Sequence, residues 1–143
     1  MLDNLLSRVF VIINTFYIKL KYGKYFSCQG LYYGNKDTRL NLTNGGTLIL
    51  GDRVSFQEGC HMTATAGGKM IIGNNVPINR YCIFICRESI KIGDKCMFGP
   101  NVTIYDHDHK FDYEGVRRHD YTTIILLRWK LERIAGLVQI PLF

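Results

Sequence analysis

The chain has 143 residues, 47% hydrophobic and 21% charged, with a net charge of +6. That length makes one domain, and those fractions are the ones of a soluble globular protein. Lys and Arg are scattered rather than blocked, which argues against nucleic acid as a partner.

Residues 2–20 predict a helix. Leu2, Leu5, Leu6, Val9, Phe10, Ile13, Phe16, Tyr17 and Leu20 make a wide apolar face, and Asp3 lies near the start, where the helix dipole favours it. Asn14 and Thr15 interrupt the apolar run and Lys19 and Lys21 end it, so the segment is too short and broken for a membrane span. No small-x-small cleavage site follows Arg8 and residues 9–13, against a signal peptide. The helix is expected to pack on the open end or side of the remaining chain. The sharper alternative is weak peripheral docking on a membrane. Residues 21–37 are basic, aromatic and Gly-containing, an irregular lead-in that completes a first segment, 1–37. The interleaved aromatic and basic residues at 17–26 read as a solvated face that could also favour an anionic substrate or membrane surface.

Residues 38–104 repeat. Apolar pairs two apart recur as Leu48/Leu50, Val54/Phe56, Cys60/Met62, Met70/Ile72, Val76/Ile78, Cys82/Phe84, Ile90/Ile92, Cys96/Phe98 and Val102/Ile104, with Leu40/Leu42 as one more before them. Within each group of three the second member recurs every sixth residue, and every third step carries extra residues, four after Met62 and two after Phe84. Two inward side chains two apart make a short strand. A corner must follow each, and Gly51, Gly59, Gly73, Gly93 and Gly99, with Asn74, Asn75 and Asn101, supply residues that tolerate left-handed backbone. Three strands per turn give a triangular coil, and stacked coils give an all-β fold, a parallel β-helix of hexapeptide repeats with an N-terminal α-helix. The extra residues always fall at one corner. Cys60, Cys82 and Cys96 take small inward slots, no CxxC occurs, and a reducing, cytoplasmic compartment is expected.

After Ile104 the register is lost. Residues 105–121 form a polar loop with Asp106, His107, Asp108, His109 and His119, leaving from the excursion corner, where chemistry on a rigid scaffold usually sits. A histidine there can act as a general base if a neighbour fixes its tautomer, and Asp106 or Asp108 could do so. The same residues are zinc or nickel ligand types, but a third histidine would have to stack nearby, and His61 lies more than two coils away in sequence, so no metal is expected. Residues 122–143 do not fit the repeat and read as an apolar helix or tail.

The run Ile-Gly-Asp-Lys-Cys-Met-Phe-Gly-Pro-Asn-Val-Thr-Ile-Tyr-Asp-His-Asp-His over 92–109 resembles the hexapeptide-repeat O-acetyltransferases. It is similar to the maltose and galactoside acetyltransferases, and closer to those that acetylate bacterial surface polysaccharides. The resemblance covers roughly residues 40–120. It implies a left-handed β-helix, a homotrimer, acetyl-CoA as donor, a sugar or glycan hydroxyl as acceptor, and an active site between neighbouring subunits. By resemblance His109, five residues past the inward Ile104, is the catalytic base, with His107 as a second candidate. His107, Asp106 and Asn79 are placed with the bound substrate, Asn79 on a corner one coil earlier. This chain departs from the family in having Lys110 where many members have Pro, and in carrying no hexads past the loop.

Codons permitted for residues 130–143, read from the third base, spell Ile-Gly-Glu-Asn-Cys-Trp-Ile-Gly-Ala-Asn-Thr-Ile-Ile, which are consecutive hexads. The tail is therefore expected to be translated out of frame, leaving a truncated acetyltransferase with reduced or no activity. Two alternatives share the scaffold. One is a metal-dependent hydratase like the β-helical carbonic anhydrases, and the other a non-catalytic remnant.

Overall fold

The computed structural model describes residues 2–35, 37–109, 124–126, 129–131 and 137–138, with side chains for 5–35 and 37–107. The helix α1 (Leu2–Tyr22) leads through a tight turn at Gly23–Tyr25 into β1 (Phe26–Cys28) and β2 (Arg39–Leu42). Nine short strands then follow in sets of three: β3 (Thr47–Leu50), β4 (Ser55–Phe56) and β5 (His61–Ala64); β6 (Lys69–Ile72), β7 (Pro77–Ile78) and β8 (Ile83–Cys86); β9 (Ser89–Ile92), β10 (Met97–Phe98) and β11 (Thr103–Tyr105). Beyond them lie β12 (His107–His109), β13 (Ile124–Leu126), β14 (Trp129–Leu131) and β15 (Leu137–Val138).

The strands stack into three parallel sheets, in the orders β1-β3-β6-β9-β14, β4-β7-β10-β15 and β2-β5-β8-β11. The fold is a left-handed parallel β-helix with an N-terminal helix, a parallel β-helix as the repeat predicts and left-handed as the resemblance implies. Every inward pair from Leu48/Leu50 to Val102/Ile104 is buried. Like stacks on like along the axis: Leu48 on Met70 on Ile90, Met62 on Phe84 on Ile104. Stacked strands also exhaust their backbone donors and acceptors on the coils above and below, as buried peptide groups require.

The corners follow the expectation in part: Gly59, Asn75 and Asn101 are left-handed, but other named residues are not. At the first corner the left-handed residues are Arg53, Asn75 and Lys95, with φ of 54°, 56° and 60°, and not the glycines two positions earlier. Those glycines are there for room. A methyl group on Gly51 would lie 2.6 Å from the Gly73 carbonyl carbon, because successive coils touch backbone to backbone. Side chains finish the corner: Asn74 Oδ1 accepts the Asp52 N–H at 2.7 Å, and Asp94 Oδ1 accepts the Asn74 N–H at 2.6 Å.

The lead-in and the tail are more regular than the sequence suggests. In the lead-in, β1 pairs with β3 and Tyr33 bridges Ser55, so residues 26–42 make a first coil. Tyr32 closes its end, packed against Phe26 and Phe56 at ring separations of 5.9 and 5.7 Å. In the tail, where an apolar helix or tail is expected, β14 pairs with β9 and β15 with β10, both parallel. The last complete coil presents an unpaired edge, and an apolar extended segment satisfies its own backbone by adding to it. The hexad spacing is not restored: Val138 comes seven residues after Leu131, whereas Ile78 and Phe98 come six after Ile72 and Ile92.

The helix packs on the first coil, through a narrow stripe and not through its wide apolar face. Thr15 and Ile18 are buried against the first coil, and Thr15 Oγ accepts the Tyr32 N–H at 2.9 Å. The Tyr22 hydroxyl donates to the Leu40 carbonyl. The wide apolar face points to solvent: Leu5, Leu6, Ile13, Phe16 and Leu20 are all exposed. No helix among the described residues is long and apolar enough to cross a membrane.

Candidate functional site

The corner between the third and first sheets carries the extra residues, at 43–46, 65–68 and 87–88, and after β11 the chain leaves from the same corner. There β12 and β13 pair antiparallel, His107 opposite Leu126 and His109 opposite Ile124. The expected loop thus begins as the stem of a hairpin. Residues 110–123, with His119, lie outside the described residues, as does the side chain of His109.

Asp106 is the pivot of this departure. Its inward slot holds Ala64 in the second coil and Cys86 in the third, all three fully buried. In the coil below, the Thr65 N–H donates to the Cys86 carbonyl at 3.0 Å. One coil up, the chain swings away, and the Asp106 carboxylate takes over the acceptor role. Oδ1 accepts the Arg87 N–H at 2.7 Å and Oδ2 the Glu88 N–H at 2.8 Å. Burial and the neighbouring carboxylate push the Cys86 thiol up to about 12, so it stays protonated and donates to Asp106.

His107 completes the cluster. Its Nδ1 lies 3.2 Å from Asp106 Oδ1, its ring packs edge-on to Tyr105, and its side chain is 14% exposed. With Nδ1 donating to the carboxylate, Nε2 carries the lone pair and can take a proton. A buried carboxylate anchored by two backbone donors is a rigid orienter for such a ring.

Burial by itself would raise the Asp106 pKa. The Arg87 and Glu88 N–H groups, with Cys86 and His107, outweigh it and hold the pKa below the ordinary aspartate value. A carboxyl whose pKa falls on folding stabilises the fold above its unfolded pKa of about 3.9 and loses that contribution as pH falls through the folded value. Urea unfolding of the wild type and Asp106→Asn should therefore differ most at neutral pH and converge below about pH 4. A difference that stays constant down to pH 2, about two units below the unfolded pKa, would show that the carboxylate's charge is not what matters.

The other expected residues lie elsewhere. Asn79 sits one coil earlier, as expected, but on the corner between the second and third sheets. It lines a separate recess of about 290 Å³ with Gln57, Pro77 and Met97, and its Oδ1 accepts the Arg80 N–H at 2.8 Å. Within one chain it is therefore on a different prism edge from Asp106 and His107. His61 is on β5, separated from β11 by β8, and lines a groove of about 910 Å³ beside α1. Among the described residues, no three His, Cys, Asp or Glu side chains gather as a metal site would require. All five cysteines are free.

Reading the repeat as inward pairs missed Cys86 and the Arg87 and Glu88 backbone. The signal was present: Ala64, Cys86 and Asp106 occupy a third inward position, two past Met62, Phe84 and Ile104. An acid in a slot filled by Leu42, Ala64 and Cys86 in the earlier coils marks a buried carboxylate that needs donors. No family model, curated protein or solved structure compared with the chain matches it.

Proposed function

We propose that this chain is an O-acyltransferase that moves an acetyl group from acetyl-CoA to a hydroxyl of a sugar or surface polysaccharide precursor. The fold is consistent with hexapeptide-repeat transferases in general. The observation that carries the reading further is the buried Asp106 carboxylate 3.2 Å from His107 Nδ1, at the one corner where the prism opens into a hairpin. That geometry suits a reaction needing a neutral imidazole held in place beside an acceptor hydroxyl.

In the proposed step His109, two residues along β12, takes the hydroxyl proton as the oxygen attacks the thioester carbonyl. The carbon–sulfur bond then breaks, and the proton passes to the departing CoA thiolate. His107, oriented by Asp106, contacts the acceptor. Much of the gain is positional, from holding two substrates against one rigid edge. Asn79 reaches the same site only from another copy, since it stands on a different edge of the prism. This favours a ring of three subunits associated along the prism sides. Incubation with radiolabelled acetyl-CoA and a panel of sugars and glycans tests the chemistry. Alkali-labile label on an acceptor is the expected result, and label remaining on CoA with every acceptor overturns it.

A further inference from the structure

The exposed face of α1 is where the structure goes beyond this reading, and independently of it. Leu20 is 87% exposed, Phe16 71%, and Leu5 and Leu6 63% each, with Val9, Phe10, Ile12, Ile13 and Tyr17 also exposed. So much apolar surface on one helix marks a surface that something covers.

Its arrangement says what. Successive helical residues are about 100° apart, so the packed side chains Asn14, Thr15, Ile18 and Tyr22 share one stripe. On the same wheel the exposed apolar residues fill an arc of roughly 160° centred opposite that stripe. Arg8 and Lys19 fall along one margin of the arc and Lys21 along the other. An apolar band bounded by cations on both long margins suits a helix lying flat in a lipid interface, its axis parallel to the surface.

Charge and aromatic placement agree. Between Asp3 and Asp37 the sequence has no acidic residue, but it has Arg8, Lys19, Lys21, Lys24 and Lys36. Lys21 Nζ lies 5.0 Å from the centroid of the Tyr22 ring, and Lys24 Nζ 5.3 Å from that of Tyr25. Tyrosine and lysine side by side, each with an apolar body and a polar tip, suit the headgroup level. A second copy of this chain would bring the same cations to the same margins, with Asp3 alone among the acids of the α1 sequence to set against Arg8, Lys19 and Lys21. An anionic lipid surface complements them directly.

We infer that α1 is an interfacial anchor that lays its apolar band into the headgroup region of an anionic membrane while its opposite stripe holds the β-helix. The anchor is peripheral. Docked this way, the first coil faces the bilayer and the Asp106 corner stands three coils away from it, roughly 14 Å at the ordinary strand spacing.

Sedimentation of the full chain with vesicles tests this, comparing phosphatidylcholine alone with equal parts phosphatidylcholine and phosphatidylglycerol. Binding to the mixed vesicles should exceed binding to phosphatidylcholine by at least tenfold. It should fall by roughly fivefold for each cation replaced in the Arg8→Gln, Lys19→Gln, Lys21→Gln variant. A second variant, Leu6→Gln with Ile13→Gln, Phe16→Gln and Leu20→Gln, should stay in the supernatant while keeping the wild-type mass by light scattering. These side chains face solvent, so the unfolding midpoint should not move. If the wild type ignores mixed vesicles, or if the apolar variant has a smaller mass than the wild type, the inference is wrong. The second result would mean that another copy of the chain covers the helix.

Discussion

Asp106→Ala should lower the unfolding free energy by about 2–5 kcal/mol, since two part-buried backbone donors lose a charged acceptor at once. The Arg87 and Glu88 N–H groups both donate to this carboxylate, which is fully buried. Removing it also leaves a void at the end of the Ala64–Cys86–Asp106 stack, and water entering that void would recover part of the loss. Asp106→Asn should cost less, because the amide oxygen can still accept one N–H, although its NH₂ then faces a second donor. Urea unfolding gives both values. A loss below about 0.5 kcal/mol for the alanine variant would mean that the corner rearranges without the carboxylate. The same variant frees His107, so activity should fall further than stability alone explains.

Phe84→Ala should cost about 3–5 kcal/mol, the usual range for removing a buried aromatic ring. Phe84 is fully buried in the third coil, between Met62 and Ile104 in its stack, and meets the Phe98 ring edge-on with centroids 5.0 Å apart. A β-helix closes around such side chains on three walls and has little freedom to collapse into the cavity. Phe84→Leu retains most of the volume and should cost less, about 1–2 kcal/mol. Because each coil contacts only its neighbours, the loss should appear as a lowered midpoint for the coils around β8 before the first coil opens. Hydrogen exchange at Ile83 and Ile85, compared with Ser27 and Ile49, would resolve that order. Equal costs for the two variants would place the ring outside the tightly packed core.

The repeat was readable because a β-helix has one rule. An inward pair every six residues decides strand, corner and stacking partner together, so Leu48 to Ile104 assigns three coils without ambiguity. What escaped the sequence is where that rule is broken or satisfied by other residue types. The first coil keeps the six-residue spacing, with 28, 34 and 40 level with 50, 56 and 62, but its residue types hide it: Gly34 takes an inward slot, and Tyr32 is held in place by rings and by a helix hydroxyl. The left-handed corner positions are taken by Arg53, Lys95 and Tyr81 as well as by Asn and Gly, because coil stacking compensates for a conformation that is costly in isolation. Apolar periodicity in α1 identified a helix but not which face meets the protein. Nothing in a hydrophobic pattern separates a core from a lipid interface until the packing partner is known. In the sequence Asp106 stands out only through its neighbour His107, and the structure adds its second role as an acceptor for the coil below.

The most direct test of the functional account is the rate of CoA thiol release with an acceptor glycan present, for the wild type and for His107→Ala and His109→Ala. Wild-type release should depend on acceptor. His109→Ala should lower kcat by at least about a hundredfold with its unfolding midpoint unchanged, the minimum expected for losing a general base. His107→Ala should mainly raise the acceptor KM. If His107→Ala abolishes turnover and His109→Ala does not, the base is the histidine that Asp106 holds. If the wild type releases no thiol with any acceptor, the chain is not the acyltransferase proposed.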